Sequence, residues 1–180
     1  MRHKIEPMNS EDQRGERLLI SACLLGKPCR YDGQTRRSQA VEAEVERWRE
    51  AGGEVVPVCP EQLGQFSTPR PPAELRGGDG HAVLDRAAGV YRVDDDKDLT
   101  EGFIAGAQAA LERGEGASRA ILKARSPSCG VAHTHIDGQV RPGDGVFAAL
   151  LHRAGVPTQT DETLDQAALA VPHKPLPDPS

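Results

Sequence analysis

Aromatic side chains are scarce in this chain, which has three Phe, two Tyr and one Trp in 180 residues. This scarcity argues against a platform for single-stranded nucleic acid, because such platforms stack the bases on aromatic rings. An excess of positive charge is also lacking, since 22 Lys and Arg face 27 Asp and Glu and the net charge is −5. We therefore expect no broad nucleic-acid or membrane-binding surface.

Long hydrophobic runs are absent as well. No apolar stretch approaches the roughly 20 residues that span a bilayer, and the charged segment 1–15 lacks the apolar core of a secretory signal. The sequence therefore predicts a cytoplasmic protein that does not enter a membrane and whose cysteines stay reduced.

The four cysteines form no C-x2-C pair, the spacing that is usual in structural zinc sites. Four reduced cysteines in a cytoplasmic chain nevertheless indicate metal binding or catalysis before disulfides. Their positions are the most informative feature of the sequence.

Three of the cysteines share one context, each lying beyond a segment typical of a short buried strand: Cys23 after 17–21, Cys59 after 54–58 and Cys129 beyond 120–122. If these strands are parallel neighbours, their carboxyl ends lie along one edge of a sheet. That edge is where open α/β sheets place their ligand sites. The spacing therefore predicts that three thiols meet at one site.

Strand patterns alternate with helical patterns along the chain, which is typical of an α/β fold with a mostly parallel sheet. We expect a Rossmann-like single domain over 17–170, with helices flanking the sheet. Residues 1–16 and 171–180 are charged or Pro-rich and are predicted to be flexible tails.

Several local elements are also predicted from turn and cap residues. Ser38 is expected to begin one helix and Asp98 another, with Glu101 as the partner of Asp98 in a capping box. The remaining expectations are a long loop at 60–80, a hairpin pairing 83–84 with 90–93, a hairpin turning at 137–138, a helix opened by 143–145, a strand at 156–158 and a helix at 164–170.

Three thiolates from distant segments suit a metal site that keeps one coordination position open. Zinc with three cysteines and a water satisfies this description, and so does an iron–sulfur cluster with one iron not bound by the protein. The spacing does not choose between them. Cys29, six residues after Cys23, is a candidate fourth ligand, transient ligand or second-shell thiol. We expect a non-ligand, because Pro28 and the surrounding loop should direct it away from the strand end.

Two further side chains stand beside the cysteines. Glu61 lies two residues after Cys59, and Ser126 lies three before Cys129. Beside a metal, a carboxylate can act as a general base and a hydroxyl can orient a substrate or relay a proton. Taken without the cysteines, Glu61 is a solvated loop carboxylate and Ser126 a turn hydroxyl.

Longer motifs surround these residues and occur in one order. They are Ser21-Ala22-Cys23-Leu24-Leu25-Gly26, Cys29-Arg30-Tyr31-Asp32-Gly33, Val58-Cys59-Pro60-Glu61, Thr68-Pro69-Arg70-Pro71-Pro72, Gly77-Gly78-Asp79-Gly80, Leu122-Lys123-Ala124-Arg125-Ser126-Pro127-Ser128-Cys129-Gly130 and Gly143-Asp144-Gly145-Val146. As a set, they resemble the thiouracil desulfidase (TudS) family, from about Arg17 to Glu162.

The resemblance implies a 4Fe–4S cluster held by Cys23, Cys59 and Cys129, with the fourth iron free to take substrate sulfur. It implies Glu61 and Ser126 as the catalytic acid/base and assisting residues. The implied reaction is the non-redox, hydrolytic removal of sulfur from thiouracil or thiouridine nucleotides. The implied partners are a small thiopyrimidine substrate and the cell's cluster assembly machinery.

Other functions remain open on the residues alone. A zinc-dependent hydrolase or deaminase would use the same three cysteines, a thiol or cluster sensor would act without catalysis, and a structural protein would simply bury them. An enclosed cavity at the strand ends would favour an enzyme. A substrate phosphate, if there is one, would be held by Arg70, Lys123 or the amides of 143–146.

Overall fold

The computed structural model describes residues 14–170, in which strands and helices alternate along the chain. The predicted tails at 1–16 and 171–180 fall outside these residues, apart from 14–16. The strands of the described part are β1 (Arg17–Ser21), β2 (Glu54–Val58), β3 (Ala73–Arg76), β4 (Gly89–Arg92), β5 (Ala117–Leu122), β6 (His133–Ile136), β7 (Gln139–Pro142) and β8 (Thr158–Thr160). The helices are α1 (Gln39–Glu50), α2 (Pro60–Leu63), α3 (Gly80–Leu84), α4 (Thr100–Arg113), α5 (Val146–Arg153) and α6 (Asp161–Ala170).

The main sheet is fully parallel, with strand order β2-β1-β5-β8. Its central strand β1 buries Leu18, Leu19 and Ile20 completely. Leu18 and Ile20 pack into a core with Trp48 of α1, whereas Leu19 packs into a second core with Phe103 of α4. A strand that is apolar on both faces needs cover on both faces, and the helices provide it. The predicted α/β class with a mostly parallel sheet is confirmed.

A second sheet has the order β4-β3-β6-β7 and mixes parallel and antiparallel pairs. β6 and β7 form the predicted hairpin around Asp137 and Gly138, both of which have positive φ. The first residues of β3 and part of the hairpin border the carboxyl end of the main sheet. Ala73, His135 and Gly138 line a cavity at this end.

Two predictions between β2 and α4 are wrong. Residues 60–80 are not one long loop, because Pro60 occupies the first turn of α2, where its missing N–H costs nothing, and β3 follows further on. Val83 and Leu84 are helical rather than paired with 90–93. The Asp79 carboxylate accepts hydrogen bonds from the backbone N–H groups of His81 and Ala82 and so begins α3, and β4 pairs with β3 instead.

Element ends differ from the predicted ones in three further places. α4 begins at Thr100, and its N-cap residue is Leu99 rather than the predicted Asp98. The Asp98 carboxylate accepts a hydrogen bond from Thr100 N–H at 2.8 Å. β8 begins at Thr158 instead of residue 156, and α6 begins at Asp161 instead of 164. Ser38 begins α1 as predicted, accepting a hydrogen bond from Val41 N–H.

In the described part of the chain, no helix is both long enough and apolar enough to cross a membrane.

Candidate functional site at the carboxyl end of the main sheet

The three strand-end cysteines meet at one cavity of about 670 Å³. Cys23 lies in a 3-10 turn directly after β1, Cys59 is the residue before α2, and Cys129 lies in the turn that follows β5. β1 pairs in parallel with both β2 and β5, so the three chain segments leave the sheet at the same edge. All four cysteines of the chain are free thiols and line this cavity.

Cys29 also belongs to this group. Its side chain is 4 % exposed and contacts the thiols of Cys23 and Cys59. Its carbonyl oxygen accepts from the Cys59 thiol at 3.7 Å and from Arg70 Nη2 at 3.0 Å. The expectation that the loop directs Cys29 away from the strand ends is therefore wrong. Its second-shell role stays a prediction.

The pKa values of Cys29, Cys59 and Cys129 are raised above that of an ordinary thiol. Burial raises the pKa of Cys129 to about 12, opposed by a hydrogen bond with Ser21. Contact with the Cys23 thiol raises the pKa of Cys29 to about 11, and contact with Cys29 raises the pKa of Cys59 as well. Buried thiols become thiolates when a metal displaces their protons, so the donor set fits a bound metal group.

The distances between the sulfur atoms also bear on which metal group the cysteines can bind. Within residues 14–170, no three cysteine sulfurs lie within 4.8 Å of one another. A tetrahedral zinc ion with Zn–S bonds of about 2.3 Å would hold its sulfurs about 3.8 Å apart. A 4Fe–4S cluster spreads its thiolates more widely, since each one binds a different iron, so it does not require the sulfurs to form so compact a group.

Glu61 is held in place on both sides of its carboxylate. Arg70 donates to Oε2 from Nε at 2.7 Å and from Nη2 at 2.5 Å, and the Ser128 hydroxyl donates to Oε1 at 3.2 Å. The side chains of Glu61 and Arg70 are only 14 % and 9 % exposed. Glu61 is thus a fixed, nearly buried carboxylate at the cavity wall and not a solvated loop carboxylate.

The Ser126 hydroxyl faces the backbone of its own turn. Its Oγ accepts from the N–H groups of Ser128 and Cys129, each at 3.2 Å. This bonding closes the turn that carries Cys129. Ser126 lines the cavity, and its own hydroxyl proton is still available to a molecule bound there.

The turn around Cys129 is docked on the start of α5. Gly145 N–H donates to Gly130 O at 2.8 Å, and Val146 N–H donates to Pro127 O at 2.9 Å. A Cβ on Gly145 would lie 2.5 Å from the Ser128 backbone, so only glycine allows this approach. The N–H of Gly143 donates to Ala132 O. The amides proposed for a phosphate are therefore already used inside the protein, and that expectation is wrong for them.

The cations near the cavity are mostly paired. Lys123 contacts the buried Asp161 carboxylate at 3.4 Å and donates to Ala124 O, while Arg125 pairs with Glu162. Arg30 contacts Asp32 at 3.5 Å. Because these positive side chains each have a negative partner, their charges largely cancel. A cation bound at the site would therefore change the protonation of the thiols more than that of any other group.

His133 and His135 lie on the exposed side of β6, as their two-residue spacing predicts. His135 lines the cavity and His133 does not.

Sequence reasoning did not find Ser21, Ser128 or the Glu61–Arg70 pair. Ser21 is the last residue of β1, and its hydroxyl accepts from Lys123 N–H at 2.9 Å while contacting Cys129. Ser128 lies next to Cys129, so adjacency to a predicted ligand was the one available signal. The sequence indicated Arg70 as a candidate phosphate ligand and did not indicate it as the partner of Glu61.

The chain is similar to known proteins over most of its length. The family model described as 2-thiouracil desulfurase matches residues 18–163. An uncharacterized protein of Bacillus subtilis (strain 168), YbbK, is 40% identical over 143 residues, covering 77% of this chain and 91% of that protein. A solved structure described as the [4Fe-4S]-dependent thiouracil desulfidase TudS (DUF523Vcz) has a TM-score of 0.67 at 36% identity. The match covers 87% of this chain and 97% of the solved one.

Proposed function

Because this chain belongs to the 2-thiouracil desulfurase family, we propose that it removes sulfur from thiouracil or thiouridine nucleotides by a non-redox hydrolytic reaction. We propose further that the reaction depends on a 4Fe–4S cluster held by Cys23, Cys59 and Cys129. The single observation that carries the proposal is the meeting of these thiols with the ion-paired Glu61 at one cavity.

The solved [4Fe-4S]-dependent structure, to which this chain is 36% identical, supports a cluster over a single zinc ion. When bound, a cluster with one iron not held by the protein supplies a soft Lewis acid suited to sulfur. The protein would contribute three cysteine thiols, each of which loses its proton when it binds iron. Cys29 is buried, contacts Cys23 and Cys59 and also lines the cavity, and its proposed place is beside the cluster without binding it.

Glu61 is placed to act as the general base. Its Oε1 accepts only a serine hydroxyl among the described residues and has a further lone pair for a water molecule. Arg70 keeps the carboxylate in one orientation, which avoids an entropic cost at the moment of proton transfer. The proposed step removes a proton from water as its oxygen attacks the ring carbon that carries sulfur.

The Ser126 hydroxyl lies on the same wall and can donate to the ring, whereas the Ser128 hydroxyl donates to Glu61. The balance of the reaction is a thiocarbonyl plus water giving a carbonyl plus hydrogen sulfide. No electrons are gained or lost, so no external reductant or oxidant is consumed.

The cavity volume supports a small-molecule substrate. About 670 Å³ lies within the ~300–1,000 Å³ range of small-molecule sites. It exceeds what a pyrimidine ring needs and leaves space for a ribose phosphate. We propose that the chain works in the cytoplasm and receives its cluster from the cell's iron–sulfur assembly machinery.

The test uses anaerobically reconstituted protein with 4-thiouracil and 4-thiouridine monophosphate in ¹⁸O-labelled water. We expect loss of the thiocarbonyl absorbance, one sulfide released per uracil product, and ¹⁸O in that product without added reductant. Turnover by protein that contains zinc and no iron would contradict the cluster. A cluster-loaded protein that releases no sulfide from either compound would contradict the activity and favour a sensor.

A further inference from the structure

A second group of ligand-type side chains lies away from the cysteine cavity. His81 of α3, Asp144 of the turn before α5 and His152 of α5 present three ligand atoms within 4.8 Å of one another. The Asp144 Oδ2 atom is 3.1 Å from His81 Nε2 and 2.7 Å from His152 Nδ1. None of the three residues lines the cysteine cavity.

From this geometry we propose that His81, Asp144 and His152 bind a divalent transition-metal ion, with Zn²⁺ as the best match. Two imidazole nitrogens and one carboxylate oxygen are typical zinc donors, with bonds of about 2.0–2.2 Å. Tetrahedral ligands at that bond length lie about 3.3 Å from one another, close to the two distances observed here. The remaining coordination position is left for water.

The proposed metal site is accessible to solvent, and hydrogen bonds from neighbouring residues hold its ligand side chains in place. The His81 and His152 side chains are 37 % and 34 % exposed, whereas that of Asp144 is 12 % exposed. Asp144 uses its second oxygen, Oδ1, to accept from Ala132 N–H at 2.8 Å. His152 places its other ring nitrogen 2.5 Å from Thr158 Oγ1. Such outer contacts fix ring orientation and increase the affinity of metal sites.

The surrounding charge also favours a cation. Asp79 packs beside Asp144, accepting from its backbone N–H at 3.4 Å. Arg153, the nearest cation on α5, is paired with Asp85 at 3.0 Å and donates to His81 O. Its charge is thus already offset, and the carboxylate of Asp144 is left to the two imidazoles.

A bound ion would join three segments of the protein. α3 and α5 supply the histidines, and Asp144 is bonded to Ala132, three residues after Cys129. Because the next residue, Gly145, holds Gly130 of the cysteine turn, the ion would stabilise the support on which that turn rests. A ligand that binds only the folded state raises the melting temperature.

The test is zinc titration of the cluster-loaded protein by calorimetry, without oxygen, followed by Co²⁺ spectroscopy. We expect one Zn²⁺ bound per chain, at least tenfold weaker binding in His81→Ala, and the same loss in Asp144→Asn. The matched control is His133→Ala, which removes an exposed histidine that lines neither site and should bind zinc as the wild type does. In the difference spectrum against the cobalt-free protein, Co²⁺ should show nitrogen and oxygen ligation without a sulfur charge-transfer band.

Three results would overturn the proposal. The first is the absence of stoichiometric zinc binding. The second is equal affinity in wild type and His81→Ala, and the third is a sulfur charge-transfer band that appears only when Co²⁺ is added to the cluster-loaded protein. Because His81 is on the surface, its variant is expected to fold. Unchanged cluster content checks this, and added Zn²⁺ should raise the melting temperature of the wild type and of the control variant but not that of His81→Ala.

Discussion

The close contact between α4 and α2 gives the sharpest prediction about how the site is positioned. Gly106 of α4 faces the turn that carries Cys59 and Glu61. A Cβ at this position would lie 2.0 Å from Pro60 O and 2.8 Å from Gly64 N. Both atoms are backbone, so neither can turn aside, and Gly106→Ala must separate the two helices.

The size of the displacement follows from the distances. Moving Pro60 O from 2.0 Å to an ordinary contact of 3.4 Å requires a shift of about 1.4 Å. α2 is a single turn and yields more easily than the 14-residue α4. Since Leu63 N–H donates to Cys59 O, the displaced turn moves with Cys59 and Glu61.

Two energetic effects oppose each other in Gly106→Ala. Alanine stabilises a helix interior by about 1 kcal/mol relative to glycine, whereas overpacking costs about 1–3 kcal/mol. We expect a net loss of about 1 kcal/mol, so the protein still folds. A misplacement of about 1 Å in a catalytic group can lower the rate about 100-fold, and we expect that loss in kcat.

The assay is sulfide release by cluster-loaded protein, with iron content and a melting curve as companions. The matched control is Gly102→Ala, one turn earlier on α4, where a Cβ would meet the ring end of Phe66 at 2.4 Å. That ring can swing aside, so a rate within a few-fold of wild type is expected. A Gly106→Ala enzyme with wild-type kcat would refute the idea that α4 positions the site.

Three further predictions concern single side chains. Glu61→Gln should keep its iron and lose at least about 100-fold in kcat, because the amide cannot take a proton; sulfide release measures this. Arg70→Met should lower the free energy of unfolding by about 3 kcal/mol in urea melts, because it strands a nearly buried carboxylate. Cluster-free protein should lose stability between pH 9 and about pH 12. Burial raises the folded-state pKa of Cys129 to about 12, so the unfolded chain loses this proton first, at about 1 kcal/mol per pH unit.

Each of these three predictions has a control that distinguishes the proposed effect from a general loss of folding or activity. Arg70→Met should cost much less when Glu61 is already Gln, and an equal cost would contradict the ion-pair explanation. The alkaline loss of stability should shrink in Cys129→Ala, and an unchanged pH profile would assign it to other groups. Full turnover in Glu61→Gln would show that another group accepts the proton.

The central strands were predictable because burial dominates them. β1 and β2 have the predicted bounds, since each is a short apolar run covered on both faces. The segment between β2 and α4 was not predictable in this way. Its helix α3 is one turn long and owes its start to Asp79, which stands within a Gly-rich stretch that is equally typical of a turn. β3 and β4 find their partners through tertiary pairing, which local patterns do not encode.

The cysteine site was predictable in outline for the same reason. Parallel strands deliver Cys23, Cys59 and Cys129 to one edge, whatever the loops do. Cys29 was harder, because its position depends on a non-repetitive turn. The partnership of Glu61 with Arg70 depends on the path of the intervening Pro-containing segment, and no spacing rule applies to it.

The most direct test of the account is the iron and acid-labile sulfide content of five anaerobically reconstituted proteins. These are the wild type and the four single Cys→Ala variants at 23, 29, 59 and 129. The account predicts a full 4Fe–4S cluster in the wild type and in Cys29→Ala, and loss of the cluster when Cys23, Cys59 or Cys129 is replaced. Loss of the cluster in Cys29→Ala, or its retention in any of the other three variants, would contradict the account.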